Sequence, residues 1–309
     1  MPERPIPVNT ELTAVAIGYQ NRQLIADEVL PRIPVGTQNF SHLVYDPQSG
    51  LNVPNTSVGR TGQVNKASIK GDEVPNKTED RGLEDDVPYD DIDNAKDGYD
   101  PLGQATENLT NLIKLDREVK TATLVFNTSN YVSDNTFKVT DAKDKISDYV
   151  NSSPIDMICD YLDKPILRPT IMVIGGAAFS KLARHPHIIQ AILGTSCEKG
   201  IASPEDIAKL FQLDKVLVGR GLFNTSKKKE QVSLSNAWGN HMSLLYQDKF
   251  ASTKAGTTYG YTAEYGLIKA GDWDNKNIGL NGGKTVRVGE QVKEIIAAKA
   301  LGAFLQDLI

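Results

Sequence analysis

The sequence is poor in the residues that most reactive chemistry requires. Its 309 residues contain two cysteines, Cys159 and Cys197, and no CxxC pair. A disulfide framework and a thiolate zinc site are therefore not expected, and the reduced cytoplasm is the default compartment. The four histidines are His42, His185, His187 and His241. Only His185 and His187 are close, around Pro186, and no carboxylate follows them at helical spacing. A zinc triad would need a distant third ligand, so no metal site is assigned and Pro186 reads as a break between two short helices. No apolar run approaches the ~18 residues of a membrane span. The opening "MPERPIPVNTELTAVAIGY" has no apolar export core. Positive charge is not in excess either. A net charge of -5 argues against a nucleic-acid reader that binds by neutralising phosphates.

Catalytic signatures are equally scarce. "RPTIMVIGGAAFSKLARHPHIIQAILG" reads as strand, double-glycine turn and helix, an order that many nucleotide-binding folds use. Gly175-Gly176 nevertheless lacks the third glycine of G-x-G-x-x-G and the acid about twenty residues on. At Gly219-Arg220-Gly221 the third glycine is replaced by Asn224. Neither turn is a phosphate loop, and no serine lies in a G-x-S-x-G elbow. The turn reads as close strand–helix packing, with no cofactor. Asp85-Asp86 and Asp90-Asp91 fall in a block too flexible for acid–base work, so no catalytic residue is assigned.

What is present is an order of contrasting segments. Pro2, Pro5 and Pro7 open an extended arm. Thr10 can cap a helix through "ELTAVAIGY", and Leu24, Ile25, Val29 and Leu30 mark a second short helix before Pro31. From Gly36 to Pro75 the chain is polar and rich in Gly, Asn, Ser and Pro, with strand-like alternation at Phe40/His42/Val44 and Val64/Lys66/Ser68. Such a stretch suits a projecting two-stranded loop that rests on a neighbour, since a lone hairpin is marginal in water. Glu79 to Asp100 is a dense acidic block, read as a solvated linker. From Pro101 to Phe126, Leu102, Ala105, Leu109, Leu112, Leu115, Val119, Ala122 and Phe126 recur at three and four, which predicts one long helix capped by Asp100. Ser153 to Gln247 alternates helix and strand, with Ser203 as a further cap and a basic turn at Lys227 to Lys229. Tyr259, Tyr261, Ala263, Tyr265 and Leu267 predict a strand with an aromatic face, and "GGKTVRVGE" a turn and strand. The closing "EQVKEIIAAKALGAFLQDLI" fits a helix or two short strands.

Four segments in this order resemble the major capsid proteins of tailed bacteriophages: "ELTAVAIGYQNRQLIADEVLPRIPVGTQNF", "PTIMVIGGAAFSKLARHPHIIQAILG", "DKVLVGRGLFNTSKKKEQVSLSNAWGNHMSLLY" and "VRVGEQVKEIIAAKALGAFLQDLI". The resemblance implies an α+β chain of the Hong Kong 97-type capsid fold. The N-terminal arm would be 1–35, the extended loop 36–75, the peripheral domain 76–152 and 248–296 with its spine helix at 101–126, and the axial domain 153–247, to which 297–309 returns. It implies a non-enzymatic subunit whose partner is itself, in hexamers and pentamers of an icosahedral shell around double-stranded DNA held without sequence-specific binding. Such a protein assembles in the host cytoplasm and resides in the virion. Leu24, Ile25, Val29, Phe40 and Tyr45 are the expected inter-subunit anchors, and the acidic block is expected to face inward. Some relatives begin with a scaffolding segment. Here the arm resemblance starts close to Met1, so scaffolding is expected from a separate protein, with portal and decoration proteins as further partners. Lys66 and Lys70 lie in the loop that some relatives cross-link, but no acceptor is recognisable, and cross-linking is not expected. The alternatives are an encapsulin-like shell around enzymes and a nucleotide-dependent α/β enzyme using Gly175 and Gly219.

Overall fold

The computed structural model describes residues 7–45, 53, 55–66, 71–96, 98–194, 200–226, 231–248, 251 and 256–309. The Tyr45 side chain, Lys70, Cys197 and the Lys227–Lys229 turn lie outside the described residues.

The arm begins with α1 (Thr10–Gly18). Its cap is Asn9, one residue before the expected Thr10, because the Asn9 carboxamide oxygen reaches the amide of Glu11 at 2.9 Å. Helix α2 (Ala26–Val29) stops before Pro31, and β1 (Arg32–Pro34) follows. Strands β2 (Asn39–Tyr45) and β3 (Gly71–Lys77) then pair as an isolated two-stranded antiparallel ribbon. The loop is two-stranded as expected, but its return strand starts at Gly71, not near Val64. Pairing holds at the base, where Phe40 packs against the cluster of Tyr261, Ala263 and Ile295. Residues 55–66 are exposed throughout, so their alternation has no face to bury.

The acidic block is not a solvated linker. Its first part is β4 (Glu79–Pro88), which pairs with β13 (Gly283–Ile296) over ten residues, from Glu79 opposite Val292 to Pro88 opposite Gly283. β13 brings cations to acids that would otherwise repel: Lys293 bonds Glu79 and Arg287 bonds Glu84. Arg81 of β4 in turn bonds Glu294 of β13 at 2.7 Å. The short helix α3 (Tyr89–Asp93) holds Asp90 and Asp91. These paired acids are therefore ordered, contrary to the flexible reading.

Helix α4 (Pro101–Val125) is the spine, with Asp100 accepting from the Leu102 amide at 3.0 Å and Pro101 in its first turn. At ~1.5 Å per residue it is nearly 40 Å long. Its buried face is rotated from the leucine stripe. Leu112 is 51% exposed, while Thr106, Thr110, Ile113, Arg117, Glu118 and Thr121 are buried. The threonines are tolerated inside because Thr106 and Thr110 donate to the carbonyls four residues back, at 2.8 and 2.7 Å.

Beyond β5 (Thr136–Lys138) come α5 (Pro154–Leu162), β6 (Ile171–Gly175), α6 (Gly176–Leu182), α7 (Pro186–Leu193), α8 (Pro204–Leu210) and β7 (Lys215–Gly219). A small hairpin, β8 (Leu222–Asn224) and β9 (Leu234–Asn236), precedes β10 (Met242–Leu245). β11 (Gly260–Glu264) and β12 (Lys269–Asn275) are separate strands, because the chain turns at Gly266, φ +73°. They follow one another along the edge of β13 opposite β4. The closing stretch resolves as strands, with β14 (Gly302–Gln306) after β13.

Among the described residues these strands form two five-stranded sheets. In one, β13 is flanked by β4, β12 and β11, with β1 outside β11; α1 and α4 cover it through Leu12, Leu109, Ile113, Val286 and Val288. The other runs β5-β14-β10-β6-β7. All five residues of β6 are buried. Met172 and Ile174 face α5 to α8, whereas Ile171 and Val173 face the spine and arm.

Candidate functional site

The arm, the spine and the second sheet meet at one carboxylate. Glu118, fully buried on α4, accepts from the Ile25 amide at 3.0 Å, the Ala26 amide at 2.7 Å and the Trp238 indole N–H at 2.5 Å. Burial pushes its carboxyl upward, and the three donors with Arg117 pull it back. Donors aimed at both oxygens are what an ionised, acceptor-only group requires. Its neighbour Arg117 donates to the Leu30 carbonyl at 3.2 Å and the Thr262 hydroxyl at 2.9 Å, and also bonds Asp27. Arg32 reaches Glu264 at 2.6 Å and Glu290 at 2.7 Å. The result is a charged lattice that fixes the arm on the spine and on β11 and β13.

The expected anchors separate here. Ile25 and Val29 are 7% and 2% exposed, packed in the same core as Ala122, Val125 and Trp238. They were expected to grip a neighbour; instead they anchor the arm to its own chain, because α2 lies directly on the spine. Leu24 is half-buried near Gly221, and Phe40 is half-buried at the hairpin base. Tyr45 lies on β2, with its side chain outside the described residues.

The glycine turns are packing devices. A Cβ on Gly175 would overlap the Gly239 carbonyl oxygen, and one on Gly219 would overlap the Trp238 ring. A Cβ on Gly176 would lie 3.1 Å from the Gly219 carbonyl oxygen. His185 caps α7, its Nδ1 accepting from the His187 amide at 3.3 Å while its Nε2 meets the Ser152 hydroxyl at 3.1 Å. His42 sits in the ribbon, 2.8 Å from the Asn76 carboxamide. Among the described residues, no group of three His, Cys, Asp or Glu side chains is placed to hold a metal ion. No described helix is long and apolar enough to cross a membrane.

Arg117 and Glu118 escaped the sequence reading because a leucine stripe one position away drew the face of the helix. The threonines at 106, 110 and 121 carried the missing signal, since small hydroxylated residues at helical spacing mark close packing.

No family model matches the chain. It is 43% identical to the major capsid protein of Pseudomonas phage JBD67, over 100% of this chain and 99% of that one. The chain belongs to the phage major capsid proteins. The major capsid protein of Burkholderia phage BcepMu is 26% identical over 86% of this chain and 84% of its own length. The fold matches a phage-related protein from Bordetella bronchiseptica RB50 with a TM-score of 0.75, at 17% identity and 99% of both chains. It also matches the capsid of cyanophage P-SCSP1u, with a TM-score of 0.59 at 10% identity, over 92% of this chain and 88% of that one. An encapsulin from Synechococcus elongatus PCC 7942 scores 0.54 at 11% identity, over 99% and 91%. The fold alone therefore does not separate a phage capsid protein from an encapsulin. The full-length identity to the Pseudomonas phage protein places the chain with the phage capsid proteins. This capsid protein is a structural subunit of Hong Kong 97-like fold, in which Glu118 holds the arm and the Trp238 segment to the spine helix.

Proposed function

We propose that the chain assembles into hexamers and pentamers of an icosahedral shell around double-stranded DNA, in the host cytoplasm, with scaffolding and portal proteins as partners. The observation that carries this reading is the β2–β3 ribbon, which has no third strand among the described residues. A lone two-stranded ribbon is marginal in water. It gains stability by resting on another copy, and a patch that binds a different patch on the next copy closes into rings. Leu24 and Phe40, with surface left uncovered, are the anchors carried forward. The acidic surface of β4 and α3 is assigned to the interior, where it leaves packaged DNA free to move. The test is electron microscopy of the chain expressed with and without its neighbouring genes, together with nuclease digestion of purified particles. Closed shells that protect DNA support the proposal; closed shells that protect a cargo enzyme instead would transfer it to the encapsulin-like reading.

A further inference from the structure

The turn between β12 and β13 holds Asn281-Gly282, and no other asparagine of the sequence precedes a glycine. The backbone nitrogen that follows an asparagine can attack its side-chain carbonyl carbon. The side chain on that next residue normally screens the nitrogen, and glycine has none. Asn281 is exposed and Leu280 beside it is 98% exposed, so water reaches the turn. The Gly282 amide donates no backbone hydrogen bond among the described residues, which leaves its nitrogen free to lose a proton. Gly282 lies at φ +79°, so the turn is closed to the side chains that would protect the step.

Asn281 is also part of a joint. Its Nδ2 donates to the Asp90 carboxylate of α3 at 2.8 Å. Beside it the Tyr89 amide donates to the Gly282 carbonyl at 3.1 Å, and the Tyr89 hydroxyl to Asp274 of β12 at 2.6 Å. These bonds fasten the β12–β13 turn to α3. The carboxylates of Asp90 and Asp274 already stand at this joint, and Lys284 of β13 bonds Asp272 at 2.8 Å.

We propose that Asn281 is a site of spontaneous deamidation, with water as the co-reactant, and that the product unfastens the turn from α3. The Gly282 nitrogen bonds to the Asn281 side-chain carbonyl carbon. The proton it gives up leaves with the side-chain nitrogen as ammonia, and a succinimide ring closes. Water then opens the ring at either carbonyl, leaving aspartate or isoaspartate at position 281. The sum is an amide and water in, an acid and ammonia out, with no oxidant or reductant. A group that donated to Asp90 becomes a carboxylate, ionised at neutral pH. The hydrogen bond is lost and two like charges face each other in its place. The joint thus carries a record of the age of the chain, and this holds whether or not the chain is in a shell.

Peptide mapping by mass spectrometry of the full chain, aged in mildly alkaline buffer, tests the chemistry. Asn281 should convert several-fold faster than Asn151 and Asn240, which precede Ser152 and His241. Asn281 intact while those two convert overturns the proposal. Thermal unfolding of the full chain tests the consequence. Asn281→Asp should melt about 1–2 °C below the parent. Asn281→Ser, which loses the bond without gaining a charge, should lie between them. Adding Asp90→Asn to Asn281→Asp should return the melting temperature to that of the parent, because donor and carboxylate then exchange places across the joint. Asn281→Asp melting like the parent overturns the proposed unfastening, as does a double variant no more stable than Asn281→Asp alone.

Discussion

The Trp238 indole N–H ends on the Glu118 carboxylate, 2.5 Å away, in the interior where the spine helix meets the β5-β14-β10-β6-β7 sheet. The same carboxylate holds the amides of Ile25 and Ala26. One side chain thus ties the arm, the spine and the segment before β10 together. Glu118→Ala leaves these buried donors unpaired and opens a cavity, so a loss of about 3 kcal/mol or more is expected. Glu118→Gln keeps one acceptor oxygen and should lose less. Denaturant unfolding of unassembled chain measures both; equal, small losses would contradict the clasp.

The glycine turns make a second expectation. Gly219→Ala places a methyl inside the Trp238 ring, and Gly175→Ala places one in the Gly239 carbonyl. Each should lose ~2 kcal/mol or more, because backbone and a buried indole cannot yield cheaply. Gly18→Ala meets nothing within 4 Å and serves as the control. Thermal unfolding ranks the three. A nucleotide that raised the melting temperature of the parent but not of Gly176→Ala would revive the enzyme reading.

Acid should weaken the isolated chain in two stages. His42, His185 and His241 are held below their ordinary value of 6.5, chiefly by burial. Burial opposes the charge on Glu294 and Asp272, but Arg81 outweighs it at Glu294, and Lys284 with Asn9 at Asp272, so both lie below ordinary carboxylate values. A group with a lowered folded value is protonated first in the unfolded chain, so its stabilisation is full above the unfolded value and lost as pH falls through the folded one. Stability should therefore decline as pH falls below 6.5 and again below 4.5. Glu118 acts with the opposite sign, gaining on acidification. Denaturant midpoints across pH measure this; a midpoint that rises steadily on acidification would contradict it.

Removal of the ribbon tip separates folding from assembly. Replacing residues 46–70 with an Asn-Gly turn between Tyr45 and Gly71 leaves the packed base at Phe40 intact. The melting temperature of unassembled chain should stay near that of the parent, while shells are lost. Shells from the shortened chain would remove the ribbon from the account.

The order of segments was legible because each has its own periodicity: the arm's short helices, the polar loop, the long helix, the alternating axial part. The cap at Asp100 and the packing role of Gly175 followed from local chemistry. What escaped depended on partners distant in sequence. β4 became a strand only because Lys293 and Arg287 lie beside its acids, more than 200 residues away in sequence. Ile25 and Val29 have the composition of an interface anchor, and only the position of α2 on the spine shows which surface they cover. Arg117 and Glu118 look solvent-facing until the arm and Trp238 are placed over them.

The most direct test of the central claim is a cryo-electron microscopy reconstruction of the assembled chain. Rings of six and five copies closing an icosahedral shell are expected, with the β2–β3 ribbon of each copy lying on a neighbour. Discrete small oligomers at high concentration, with the ribbon free of any neighbour, would contradict it.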